Sequence, residues 1–147
     1  MESNFELSLE AVDAGQRPPV FRLAFSSSSE RLLLPYPEVT GLQFLDAAGE
    51  KVAEWRTAYL SITPLDEFVL RPGGRIAFDL ETPDKLPPAR EHDWTIQLPP
   101  GRMSVRYVYE VEADKKRYDF LAKGSRFAAI TKFWGGRVES PMIEFDA

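Results

Sequence analysis

The chain has 147 residues, no cysteine, a single histidine and a formal net charge of −5. Its length suits one domain able to bury its own core, and 44% hydrophobic with 28% charged residues is too apolar for a disordered chain. Lack of cysteine excludes a disulfide framework, a thiol nucleophile and a cysteine-based zinc site. The charge disfavours general nucleic-acid binding: residues 1 to 114 carry 11 basic against 19 acidic side chains, and residues 115 to 147 carry 7 against 4.

The first residues show no basic stretch followed by a continuous apolar run, and no segment approaches the ~18 apolar residues of a membrane span. The expectation is a cytoplasmic chain with no membrane partner. Phe5, Leu7, Leu9 and Ala11 alternate with Glu6, Ser8 and Glu10, the pattern of a half-buried strand. After a turn at Asp13 to Gln16, Phe21, Leu23 and Phe25 alternate with Arg22 and Ala24 and predict its pairing partner. Arg31 to Pro37 sets Leu32, Leu33, Leu34 and Tyr36 among prolines, which remove ladder donors; this predicts an edge or crossing segment, not a central strand. Leu42 and Phe44 mark the next strand, Asp46 to Gly49 a hairpin-length loop, and Val52 and Trp55 its return. Tyr59 to Thr63 is a further strand candidate, ended by Pro64.

Pro72 and Gly73 suit the centre of a type II turn, which predicts a hairpin into Ile76, Phe78 and Leu80. Thr82 to Glu91 is a polar loop with three prolines, and Trp94, Ile96 and Leu98 then share one strand phase, placing Trp94 in the core. Pro100 and Gly101 repeat the turn. Beyond it Met103, Val105, Tyr107 and Tyr109 face one way and Arg102, Ser104 and Arg106 the other, which predicts the central strand of the fold. Residues 115 to 137 form a basic and aromatic excursion in which Phe127, Ile130 and Trp134 fall at i, i+3 and i+7; a short helix capped by Ser125 and a β-hairpin both fit. Arg137 to Asp146 closes the chain as a last strand, with Pro141 marking an edge or a bulge.

Eight or nine short strands, at most one short helix and 12 prolines predict an all-β single domain over residues 1 to 147, an immunoglobulin-like β-sandwich, with an up-and-down barrel as the rival. Three pieces carry a resemblance: the Leu70 to Gly73 turn before Ile76 and Phe78, the Leu98 to Gly101 turn before Val105 and Tyr107, and Trp134 to Ser140 leading to Ile143 and Phe145. Together they resemble bacterial immunoglobulin-like or fibronectin type III-like domains. The layout is also similar to the intracellular proteinase inhibitor family of Bacillus type, although no inhibitory loop matches residue by residue. The disulfide of antibody domains is absent, and Met103 stands where such domains often place a corner tyrosine.

Catalytic chemistry finds little support. His92, just before a strand, is the only imidazole, and no nucleophile elbow accompanies it. Asp79, Glu81 and Asp84 lack the spacing of a calcium loop, and the glycine doublets match no phosphate-binding fingerprint. The sequence therefore predicts no cofactor, no metal and no catalytic residue, and a protein-binding module. Two surfaces compete for that role. One is Leu32, Leu33, Leu34 and Tyr36 as an apolar edge, against the plainer reading that the leucines close the core. The other is Arg126, Phe133 and Trp134 in the basic excursion, against a solvated hairpin with inward aromatics. Of the three tryptophans, Trp134, beside two glycines, is expected to be the exposed one. A proteinase inhibitor using the Thr82 to Glu91 loop, a carbohydrate-binding domain and a carboxylate-dependent hydrolase are the alternatives, and a homodimer through edge strands is compatible with all of them.

Overall fold

The computed structural model describes residues 5–12, 19–27, 30–57, 67–83, 94–111 and 132–146. They form twelve strands: β1 (Phe5–Ala11), β2 (Val20–Ser27), β3 (Leu32–Pro35), β4 (Leu42–Leu45), β5 (Trp55–Thr57), β6 (Glu67–Leu70), β7 (Arg75–Glu81), β8 (Trp94–Ile96), β9 (Arg102–Val111), β10 (Lys132–Phe133), β11 (Gly136–Glu139) and β12 (Ile143–Asp146). A single 3-10 turn spans Val39–Gly41, and among the described residues there is no α-helix. No described helix is therefore long and apolar enough to cross a membrane.

The strict alternation of β1 and β2 does what alternation predicts. The two strands pair antiparallel, with Leu7 opposite Phe25 and Leu9 opposite Leu23, and β7 adds on the far side of β2 with Phe78 opposite Leu23. Phe5, Leu7, Leu9, Phe21, Leu23 and Phe25 are all buried on the inner face of this sheet.

A second sheet is built around β9, the predicted central strand. β4 runs antiparallel along one edge, with Phe44 opposite Val105, and the other edge is shared end to end by β11 and β12. Glu139 faces Val108, but Ile143 faces Val105, so three residues, 140 to 142, stand opposite two. This is the bulge anticipated at Pro141. It shifts the side-chain phase by one, so that Val138 and Phe145, of opposite parity, are both buried against β9. Ser140 repairs the interrupted ladder: its N–H donates to the Tyr107 carbonyl at 2.9 Å, and its Oγ accepts the Tyr107 N–H at 2.8 Å.

The Arg31 to Pro37 segment departs from expectation. β3 is the middle strand of its sheet, parallel to β10 on one side and antiparallel to β6 on the other. Proline forbids a ladder donor only at its own nitrogen, and Pro35 ends the strand, leaving the three leucines free to pair. Leu32, Leu33 and Leu34 are each fully buried, with Leu32 and Leu34 in the main core, the continuous apolar pattern of a strand covered on both faces. A short fourth sheet pairs β5 with β8, Trp55 opposite Ile96.

Both Pro-Gly turns also differ from the predicted hairpins. Gly74 N–H donates to the Arg71 carbonyl at 2.8 Å and Gly73 takes φ +72°, as a type II turn requires, yet β6 and β7 pair with β3 and β2 and not with each other. Likewise β8 pairs with β5 and β9 with β4, β11 and β12, so each turn carries the chain from one sheet to another. The Asp46 to Gly49 loop does close on itself: Asp46 Oδ1 accepts the amides of Ala48 and Glu50, and Leu45 bridges Lys51.

Aromatic rings knit the sheets together. Phe5, Phe25 and Trp134 surround Tyr109 at centroid distances of 6.0, 5.0 and 5.8 Å, and Phe21 meets Phe44 and Phe145 at 5.8 and 5.0 Å. Trp134, expected outside, is buried at 8% exposure. The neighbouring glycine is the reason: a Cβ on Gly136 would stand 2.9 Å from Trp134 Cζ2, so the missing side chain leaves the place in which the indole lies.

Candidate functional site

Tyr36 lies just beyond the end of β3, and its ring packs on Phe68 and Phe78 at 5.8 and 5.4 Å while remaining 45% exposed. The backbone that follows is held firmly. The Glu38 carbonyl accepts both the Tyr107 hydroxyl at 2.5 Å and the Gly41 amide at 3.1 Å, so a buried residue of the central strand fixes the segment from beneath. Across from it, Trp94 opens β8 at 37% exposure. β8 is tied down where Ile96 N–H donates to the Pro83 carbonyl at 2.9 Å, and the buried Thr82 gives its hydroxyl to the Pro19 carbonyl at 2.6 Å.

Between these supports lies a cleft of about 460 Å³. One wall is Tyr36, Pro37, Glu38 and Val39, the other is Phe78, Asp79, Leu80 and Glu81 of β7, and Pro83 and Trp94 complete it. Successive residues of a strand point to opposite faces, so a cleft lined by four in a row follows the edge of β7 and not one of its faces. That edge is the one turned away from β2, and no described strand pairs with it. Four large hydrophobic side chains among the described residues are more than a third exposed, and two of them, Tyr36 and Trp94, line this one cleft.

Among the described lining residues the charged ones are acidic: Glu38, Asp79 and Glu81. Asp79 also faces Arg22 across the β2–β7 pair, with Arg22 Nε 2.9 Å from Asp79 Oδ1. The hydrogen bond and charge of Asp79 hold the Arg22 guanidinium above its ordinary pKa against desolvation, and Glu10 at 3.8 Å adds to them. No family model, curated protein or solved structure matches the chain. The cleft is therefore read from its own geometry among the described residues: aromatic walls, a β7 edge with which no described strand pairs, and three carboxylate residues in the lining.

Of the residues expected to bind, the structure brings only Tyr36 to this site. Leu32, Leu33 and Leu34 offer no surface, each being fully buried, because a strand flanked on both sides has no apolar edge to present. Trp134 belongs to the core, Phe133 lies in β10 beside Leu33, and Arg126 is outside the described residues, so the second predicted surface loses its exposed tryptophan. Trp94 was missed. Its phase with Ile96 argues for burial, but it is the first residue of a three-residue strand and extends past the end of the core. The signal that could have found it is its place directly after a long polar loop, where a strand starts at the rim of its sheet.

A second hollow of about 320 Å³, lined by Leu42, Gln43, Lys51 and Trp55 among others, has its indole N–H already committed to the Leu42 carbonyl at 3.0 Å. Among the described residues no three of His, Asp and Glu gather as a metal-holding group. Asp84 and His92 lie outside the described residues.

Proposed function

We propose that this chain is a non-catalytic protein-binding module with an immunoglobulin-like β-sandwich fold, and that the cleft along β7 between Tyr36 and Trp94 receives its partner. Two antiparallel sheets, β1-β2-β7 and the one built around β9, contribute to one aromatic core, which supports the fold reading. One observation carries the functional reading: the two aromatic side chains most exposed among the described residues meet in a single cleft, beside an edge of β7 with which no described strand pairs. Aromatic side chains that stay at a surface beside a recess are the usual anchors of protein recognition.

The inhibitor reading keeps one specific support. Thr82 and Pro83, which begin the proline-rich loop, are pinned by hydrogen bonds to the Pro19 carbonyl and the Ile96 amide, the anchoring that a loop inserted into a protease needs. A photo-crosslinking amino acid placed at Tyr36 tests both. Crosslinks to a partner that are competed by the unlabelled chain, and not competed by a Tyr36→Ala, Trp94→Ala double variant with unchanged circular dichroism, support the proposed site. A crosslinked protease whose activity the wild-type chain blocks selects the inhibitor. Crosslinks competed equally by both chains remove the cleft from consideration.

A further inference from the structure

We infer that Tyr107 and Tyr109 of the central strand are positioning residues for the cleft: their hydroxyls hold the main chain on either side of Tyr36 and so keep that exposed ring preorganised at the cleft's edge. The inference rests on the cleft being the binding site and adds how its aromatic wall is kept in place. The need for such a hold comes from the sequence. Tyr36 stands between Pro35 and Pro37, and neither proline has an amide hydrogen, so neither can donate to a ladder where β3 ends. What both still offer is a carbonyl oxygen.

Carbonyls of this segment are what β9 holds. Tyr109 donates its hydroxyl to the Pro35 carbonyl at 2.6 Å, and Tyr107 donates its own to the Glu38 carbonyl at 2.5 Å. The two donors alternate along one strand and share its inner face, with ring centroids 6.4 Å apart, and the two acceptors bracket Tyr36. Both tyrosine rings are buried in the core, Tyr109 against Phe25 and Trp134, so close packing sets where their hydroxyls stand. Pro37 confines the backbone of Tyr36 to the extended region, and Phe68 and Phe78 support its ring from the side. A buried tyrosine hydroxyl needs an acceptor wherever it lies, but here both acceptors flank one exposed aromatic residue, which turns satisfaction into positioning. A side chain held in this way loses little freedom when a partner covers it, as a preformed anchor requires.

The test places para-trifluoromethylphenylalanine at position 36 of the full-length chain and follows its fluorine NMR line without ligand, well below the unfolding midpoint. Tyr107→Phe and Tyr109→Phe, which each remove one hydroxyl and keep the ring, should each shift the line, and the double variant should broaden it about twofold or split it. Ser140→Ala is the control. It acts on the edge of β9 away from β4, should lower stability at least as much as the loss of one hydroxyl, and should leave the line at its wild-type position and width. A line unchanged in the double variant would overturn the inference. A line moved as far by Ser140→Ala would overturn it too, since Tyr36 would then report the general stability of β9 and not the two hydroxyls. The fluorine line is read on the free chain and the crosslinking on the bound one, so failure of the positioning pair and failure of the cleft as a binding site are separate results.

Discussion

Gly41→Ala should be among the most damaging single-methyl additions in this protein. The cost comes from space, because a Cβ at Gly41 would stand 2.5 Å from Tyr107 Cζ, 2.7 Å from Cε2 and 2.8 Å from the hydroxyl. Reaching ordinary contact requires the ring to retreat by about 1 Å. Tyr107 cannot swing into solvent to do so: it is 2% exposed, it sits in the middle of β9, and its hydroxyl is bound to the Glu38 carbonyl. Overpacking of this kind costs about 1–3 kcal/mol, and breaking the hydroxyl bond adds about 1 kcal/mol, a modest figure because the Glu38 carbonyl keeps its second donor, the Gly41 amide. The expected total is about 2–4 kcal/mol, read as a fall of roughly 1–2 M in the urea midpoint at unchanged slope. Tyr107→Phe supplies the control. Alone it should cost about 1 kcal/mol, and in the Gly41→Ala background much less, since the bond it removes is already broken. A Gly41→Ala protein within about 0.5 kcal/mol of wild type, or two costs that simply add, would refute the steric account. Because Glu38 is part of the cleft wall, Gly41→Ala should also weaken any ligand bound there, while Ser140→Ala, on the opposite edge of β9, should not.

Ser140→Ala leaves the buried Tyr107 amide without its acceptor and should destabilise by about 1–3 kcal/mol, with faster hydrogen exchange at Tyr107 as the local check. Leu33→Asp places a carboxylate at a fully buried position of a middle strand, so the expected result is an unfolded chain by circular dichroism; a folded variant would show that β3 is not enclosed. Gly73→Ala meets no atom within 4 Å, and its cost should be the backbone term alone, about 1 kcal/mol for φ +72°, measured by thermal unfolding. Arg102→Ala removes contacts to Glu144 and Asp146 at 3.1 and 3.2 Å, yet the arginine side chain is 60% exposed, so the thermal midpoint should hardly move and what change there is should shrink further in high salt.

Much of the architecture was legible because local pattern and tertiary environment agree. β9 alternates strictly and buries the face that the alternation nominates, and β1 and β2 do the same apart from Ala11, which is exposed, and Ala24, which is buried on the other face. The bulge was legible from Pro141, since a residue without an amide proton interrupts a ladder wherever it falls. What could not be read was partnership. A Pro-Gly turn fixes four residues of backbone and is silent on whether the strands leaving it hydrogen-bond to each other, and in both cases here they do not. The three leucines of β3 were ambiguous for the same reason: a continuous apolar run fits an end of the core or a middle strand, and β6 and β10, distant in sequence, decide between them. The tryptophans were misjudged in opposite directions. Trp94 has the phase of a core residue but starts its strand at the rim, and Trp134 has the glycine neighbours of a surface loop but uses one of them as the place to lie down.

The turns that cross between sheets bear on how this chain finds its fold. Among the described strands, β1 and β2 pair across a short loop, whereas β2 waits for β7, β3 for β6, and β4 for β9, each across long stretches of intervening chain. Closing such loops costs entropy before any ladder forms, so productive encounters are rare and folding is slow for a chain of this length. During that interval β7 and β9 are made but unmatched, and the residues that keep them from the wrong neighbour are the charges on their outward faces: Arg75, Asp79 and Glu81 on one, Arg102, Arg106 and Glu110 on the other. Asp79 and Glu81, which line the cleft in the folded chain, are thus placed to keep β7 from the wrong neighbour before its own strand arrives.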